Sequence, residues 1–448
     1  MTPIDRRRFD ALAGYIRLPI SVLFMKELAW YEEGDETLLG VVAFDTSDRD
    51  YVALILGRDA KERFRAVTLE HSLPTQVAAT IWLRDQLARL VRQPPEFHHQ
   101  GDEKGRPVDF FEPIVPLDKR SVAFEQLRTD KSHSPALRLL RELMHYFEDP
   151  DGNFIQQFQS TGFDARIWEV YLYAAFTEMG YGFDRTQAVP DFYCHGPLGE
   201  FFVEATTLGV SPQTPELTDD NVQAYFEEYV PIRFSGALHE KLKKRYWELP
   251  HVRGYPLIIA IQDFHQLGSM TWTAESLPEY LYGLRQSILD GEPVSEPFGR
   301  HRWGTKDIPS NFFGQPDAEH ISAVIANPSG TIAKFKRMGI LTGFGDPNLR
   351  ILRKGLAFQG EPFPTPFGVE VTAEGYDETW CEGLAVYHNP NANTQLSEEA
   401  FPGAGHFTAE DGWLVSKLPP FFPLGSQTLT LVLKKDVGSE EADGPAIQ

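Results

Sequence analysis

Along this chain the spacing of apolar positions switches between a period of two and a helical period, and each switch marks an element. In the first ~115 residues the runs LLGVVAFD, YVALILGRD and RFRAVTLE read as strands. Turn signals such as Glu33-Gly34-Asp35 and Thr46-Ser47-Asp48 separate them. Pro74 and Thr75 then open QVAATIWLRDQLARLVRQ, whose apolar spacing predicts a helix. A small α+β domain over 1–115 follows, ending in the loop HHQGDEKGRP, where His98 and His99 read as solvated. A helical connector over 116–160 contains SPALRLLRELMHYFED.

Between 161 and 268 the order is helix, strand, strand, strand, helix, strand, which is that of an α/β unit with a mixed sheet. The helix RIWEVYLYAAFTEMG sets Ile167, Val170, Tyr171, Ala174 and Ala175 on one stripe, with Glu169 beside it. Glu169 either points along the sheet or pairs at the surface with Arg166 or Arg185. The last strand, in VRGYPLIIAIQDFH, ends near Asp263 and His265, which read as a helix cap or as support for a site. Residues 269–436 form a mostly β region (HISAVIAN, GVEVTAE, EGLAVYHN, QTLTLVL) that can extend the central sheet. The tail 437–448 lacks apolar pattern and reads as disordered.

With 42% hydrophobic and 24% charged residues, the 448-residue chain has the composition of a soluble globular protein. No apolar run reaches the roughly 20 residues that span a bilayer. Arg17 and Pro19 interrupt the stretch after Arg6-Arg7-Arg8, so a signal peptide is not expected and a cytoplasmic protein is. Two cysteines, Cys194 and Cys381, provide neither a disulfide framework nor a four-cysteine zinc site. The net charge of −22 argues against indiscriminate nucleic-acid binding. One basic helix, over 233–253, runs against that field with Arg233, Lys241, Lys243, Lys244, Arg245 and Arg253. It is either a local phosphate-binding stripe or a solvated face. Lys334, Lys336 and Arg337 offer the same choice on a smaller scale, as phosphate contacts or a solvated turn. His388 and the later His406 suggest a histidine site, although Asn389-Pro390-Asn391 reads more simply as a turn.

The chemistry concentrates around His195-Gly196-Pro197-Leu198-Gly199. Asp191 and Glu204 are equidistant from the middle of this turn, so a hairpin folded there sets them opposite, with Cβ atoms about 4.5–5.5 Å apart. Facing carboxylates repel unless a shared proton or a cation relieves them. A divalent ion is the usual remedy. In EFFVEATT, period two sends Phe202, Glu204 and Thr206 to one face and Phe201, Val203 and Ala205 to the other.

This stretch resembles the PD-(D/E)xK nuclease superfamily, the restriction-endonuclease-like fold, over roughly 160–265. Pro190-Asp191 matches its PD, Glu204 its (D/E), and Glu169 its frequent additional acid on the preceding helix. Thr206 stands where the motif has lysine. The resemblance implies a mixed central sheet flanked by helices, Mg²⁺ (or Mn²⁺) held by Glu169, Asp191 and Glu204, and phosphodiester hydrolysis of DNA or RNA. A backbone carbonyl near Ala205 is expected to assist. Members sometimes supply the lysine from another element, and Lys241, then Lys244, are the candidates, sharing one helix face with Arg245. The expectation is a Mg²⁺-dependent nuclease acting on nucleic acid through the basic helix, with no membrane role and with a protein partner or a second copy also conceivable. The alternative is an inactive relative that serves as a binding or assembly module.

Overall fold

A computed structural model describes residues 1–103, 107–147, 152–184 and 186–433. Arg185, part of the HHQGDEKGRP loop and the 437–448 tail therefore lie outside the described residues.

The chain opens with β1 (Thr2–Ile4) and α1 (Arg6–Ala13), followed by β2 (Met25–Glu33), β3 (Leu38–Asp45), β4 (Asp50–Arg58) and β5 (Phe64–Leu73). These strands form one antiparallel sheet in sequential order. Helix α2 (Gln76–Leu90) begins where expected, with the Thr75 hydroxyl accepting the Ala78 N–H. The pleat explains why β3 reads as an unbroken apolar run. Leu38 and Val42 meet Ala79, Leu83 and Leu87 of α2, whereas Leu39 and Val41 turn into a second core with Phe9 and Leu12 of α1. His98 departs from expectation. It is buried at 1% exposure, over a glycine, Gly57, where a Cβ would meet its ring at 2.6 Å.

Next come α3 (Ser134–Met144) and α4 (Phe163–Glu178). All five residues of the expected α4 stripe are buried, and so are Trp168, Leu172, Tyr173 and Phe176, because the helix is enclosed on nearly every side. The strands β6 (Gly182–Phe183), β7 (Phe192–Gly196) and β8 (Gly199–Leu208) follow, then α5 (Val230–Leu242) and β9 (Leu257–Asp263). Further strands β10 (Ala323–Ala326), β11 (Ala385–His388), β12 (Gly405–Glu410) and β13 (Trp413–Lys417) complete an eight-stranded sheet in the order β13-β12-β11-β10-β9-β8-β7-β6. It is mixed: β8, β9 and β10 run parallel, as do β11 and β12, and the other neighbours are antiparallel. The C-terminal region thus extends the central sheet. A three-stranded sheet of Leu349–Phe358, Thr365–Glu370 and Phe422–Val432 packs separately.

The two faces of β8 and β9 fall where period two puts them. Val203, Ala205, Ile258 and Ala260 pack with α4, and Trp168 Nε1 donates to the Ala260 carbonyl at 3.2 Å. Phe202, Leu208, Leu257, Ile259 and Ile261 pack with Val230, Phe234, Leu238 and Leu242 of α5.

Helix α6 (Ile332–Leu341) corrects the reading of Lys334, Lys336 and Arg337 as a solvated turn or phosphate contacts. All three are buried. Glu378 receives both Arg337 nitrogens at 2.8 Å and lies 2.7 Å from Lys334 Nζ. Burial alone would raise the Glu378 carboxyl, but Arg337, Lys334 and Arg353 hold it well below the usual range.

Candidate active site

The β7–β8 hairpin folds on Pro197 and Leu198, with Gly196 opposite Gly199 and Phe192 opposite Val203. Gly199 takes φ +125°, a conformation open to glycine and strained for other residues. This register makes Asp191 and Glu204 the next pair, as expected. The backbone ladder stops at Phe192, and Asp191 Oδ2 accepts the Ala205 N–H at 2.7 Å. The Ala205 N–H therefore holds Asp191 in place.

Glu204 points toward α5. Lys241, in the last turn of that helix, brings Nζ to 2.6 Å from Glu204 Oε1, and the Tyr246 hydroxyl donates to the same oxygen at 3.1 Å. Glu204 is 5% exposed, and its other oxygen, Oε2, is buried without a hydrogen-bond partner among the described residues. Glu169 receives Arg166 at 2.6 and 2.8 Å, the partner anticipated as one alternative, but the pair is half-buried rather than at the surface. Its charge still reaches Asp191. Burial raises the Asp191 carboxyl well above its ordinary range, with further upward pushes from Glu204 and then Glu169, against which Ala205 N–H and Lys241 act. Glu204, Glu169 and Lys241 thus all act electrostatically on Asp191, although the ligand atoms of the three acids do not gather within 4.8 Å of one another as those of Asp317, Glu319 and His320 do. Thr206 follows on the Glu204 face of β8, half-buried.

Lys244 does not join them. Helix α5 ends at Leu242, Lys243 caps it, and the chain turns left-handed at Arg245 (φ +49°), so the shared face of Lys241, Lys244 and Arg245 does not form. Lys244 is exposed. Arg245 pairs with Glu248 and Asp317, Lys243 with Glu240, and Arg233 donates to the Gly209 carbonyl. Three of the six basic residues, Lys241, Lys243 and Arg245, are therefore paired with carboxylates.

Asp263 and His265 lie elsewhere. Asp263 is in register with Leu208, four residues beyond Glu204 along β8, and its Oδ1 accepts from His265 N at 3.0 Å and Ser269 Oγ at 3.0 Å. His265 Nδ1 is 2.6 Å from the same oxygen and Nε2 is 2.8 Å from the Tyr225 hydroxyl. All three residues are buried, making this a brace for the turn after β9. His388 and His406 do meet, at 3.0 Å between Nε2 and Nδ1, on adjacent parallel strands. Asn389 Oδ1 accepts the Asn391 N–H, as the turn reading required.

Sequence reading missed Tyr246, which no motif marks, and a group formed by Asp317, Glu319 and His320 whose ligand atoms all lie within 4.8 Å of one another. The close spacing of these residues was the available signal. No helix among the described residues is long and apolar enough to cross a membrane. Compared with family models, with curated proteins and with solved structures, the chain finds no match.

Proposed function

We infer that the hairpin site is a divalent-metal site for phosphodiester hydrolysis in nucleic acid, on a restriction-endonuclease-like core. The observation that carries this reading is Glu204. One of its oxygens is taken by Lys241 and Tyr246, and the other is buried and unpartnered beside the raised carboxyl of Asp191. An orphaned carboxylate oxygen next to a second acid fits Mg²⁺ or Mn²⁺, which takes carboxylate oxygens as ligands. Asp191 and Glu204 would hold the ion, with Glu169 as the third acid. When bound, such an ion polarises a phosphoryl oxygen and lowers the pKa of a bound water.

The protein's own groups have separable tasks. The Ala205 N–H fixes the rotamer of Asp191. Lys241 takes the place of the lysine that Thr206 lacks: it holds Glu204 in position and supplies positive charge where phosphate oxygens gain negative charge. Tyr246 fixes the same carboxylate oxygen. With Lys241, Lys243 and Arg245 paired to carboxylates, the substrate is drawn by the site itself and by Lys244 and Arg253, which remain exposed.

A second reading has its own support. The engagement of Glu169 by Arg166, of Glu204 by Lys241 and of Asp191 by Ala205 is also what an inactive relative retained as a binding or assembly module would have. The test is cleavage of single- and double-stranded DNA and RNA with Mg²⁺, Mn²⁺ or EDTA. Metal-dependent cleavage that disappears in Asp191→Asn and Glu204→Gln supports hydrolysis. Metal binding without cleavage supports the module.

A further inference from the structure

A cavity of about 740 Å³ lies away from the hairpin site, and none of Asp191, Glu204, Lys241 or Tyr246 lines it. It opens between α1, the segment 14–22, the C-terminal end of α4 and the loop 377–381. Its size is that of a pocket for a small organic molecule. Its walls are aromatic: Tyr15 and Tyr173 are stacked at 5.6 Å, and Tyr146 and Trp380 also face it.

The charged groups along this cavity are unequal in an informative way. Arg6 pairs with Asp10, Arg7 with Asp377, and Arg17 with Asp10 and Glu27. Glu378 is engaged by Lys334 and Arg337. Glu178, the last residue of α4, has no cationic side chain within ion-pair distance among the described residues. Its carboxylate accepts the Cys381 N–H at 3.0 Å, and the Trp380 N–H also bonds to it. These two backbone donors hold the carboxylate at the wall of the cavity, where the residue is exposed. Partial desolvation pushes its pKa up, against the Trp380 and Cys381 N–H groups and the charge of Lys334, which lies beyond ion-pair distance. The Cys381 thiol, pushed up to about 12 chiefly by burial, offers no nucleophile there.

We propose that this cavity binds a small organic cation, an aryl or alkyl amine, whose ammonium meets Glu178 and whose body lies against Tyr15, Tyr173 and Trp380. An ammonium gives Glu178 an ion-pair partner and is attracted by aromatic faces. The chain's net charge of −22 favours the approach of a cation over that of an anion. An anionic ligand would have to displace carboxylates already bound to the three arginines.

Calorimetric titration of the full chain with benzylamine, benzyl alcohol and benzoate tests this, since the three share a ring and differ in charge. Benzylamine is expected to bind saturably, about tenfold or more tighter than benzyl alcohol, with benzoate weakest. Glu178→Gln should abolish the preference for the amine while circular dichroism stays unchanged. Should that variant fail to fold, Tyr15→Leu, at a half-buried wall position, should weaken benzylamine binding severalfold and leave Glu178 in place. Equal affinities for amine and alcohol, tightest binding of benzoate, no saturable binding of any probe, or an amine preference retained in Glu178→Gln would each overturn the proposal.

Discussion

Lys241 and Glu204, 37 residues apart in sequence, meet at 2.6 Å where α5 ends over the middle of β8. The ammonium is the counter-charge for a carboxylate with 5% exposure. Lys241→Ala leaves that carboxylate buried with only Tyr246 as a partner. The expected loss is about 1.5–3 kcal/mol, the range for a hydrogen bond to a charged group, read by urea denaturation. Cleavage should fall to background, whereas Lys244→Ala, at an exposed position outside the helix, should leave stability unchanged and only weaken substrate binding.

Asp191 shapes the pH dependence of stability. Its folded-state carboxyl lies above its unfolded value, so the native state binds more protons between the two. Stability from this group is full below the ordinary aspartate range and is lost as pH rises toward the raised value. Asp191→Asn should therefore melt higher than the wild type at pH 7 without metal, and the gap should close as pH falls toward 4. The scan is run in EDTA.

Tyr246→Phe removes one hydrogen bond to Glu204 Oε1 and leaves Lys241 in place. A cost of about 1 kcal/mol is expected, with partial rather than complete loss of cleavage. Complete loss would mean that Tyr246 acts in the reaction as well as positioning Glu204.

The His388–His406 contact predicts a sensitivity of opposite sign. Burial, and then the His406 charge, push His388 down to about 4. The unfolded chain takes up a proton near pH 6.5 and the folded one only near 4, so this contribution is full above 6.5 and is lost as pH falls through that window. His388→Gln should be less sensitive than the wild type between pH 6.5 and 4.5 in denaturant titrations.

Removing Glu378 should be among the costlier single changes in the protein. Glu378→Gln leaves Lys334, Arg337 and Arg353 buried around a neutral amide, and breaking a buried charge network from one side costs roughly 3–5 kcal/mol. A drop of that order in the unfolding free energy checks it.

What could be read from the sequence is what is local. The hairpin needed only two β runs and a two-residue turn, and the opposition of Asp191 and Glu204 follows from the same counting. The α4 stripe and the alternation of β8 obey periods visible within a single element. Contacts between elements were hidden. Lys241 could be named because its helix precedes β9, but Lys244 looked equivalent until the chain turned left-handed at Arg245 without a glycine to announce it. Charges were the main source of error. Arg353 occupies an inward position of the strand Leu349–Phe358 and Lys334 lies inside α6, so both broke the apolar pattern while being fully buried. Strands β12 and β13, at one end of the sheet, were missed because they have few fully buried positions, with Gly405 the only one between them.

The account rests on a dication bound between Asp191 and Glu204, and equilibrium dialysis against Mn²⁺ tests that most directly. Saturable uptake by the wild type, abolished in the Asp191→Asn, Glu204→Gln double variant and retained in Lys244→Ala, is the predicted result. No uptake by the folded wild type, or equal uptake by the double variant, would contradict it.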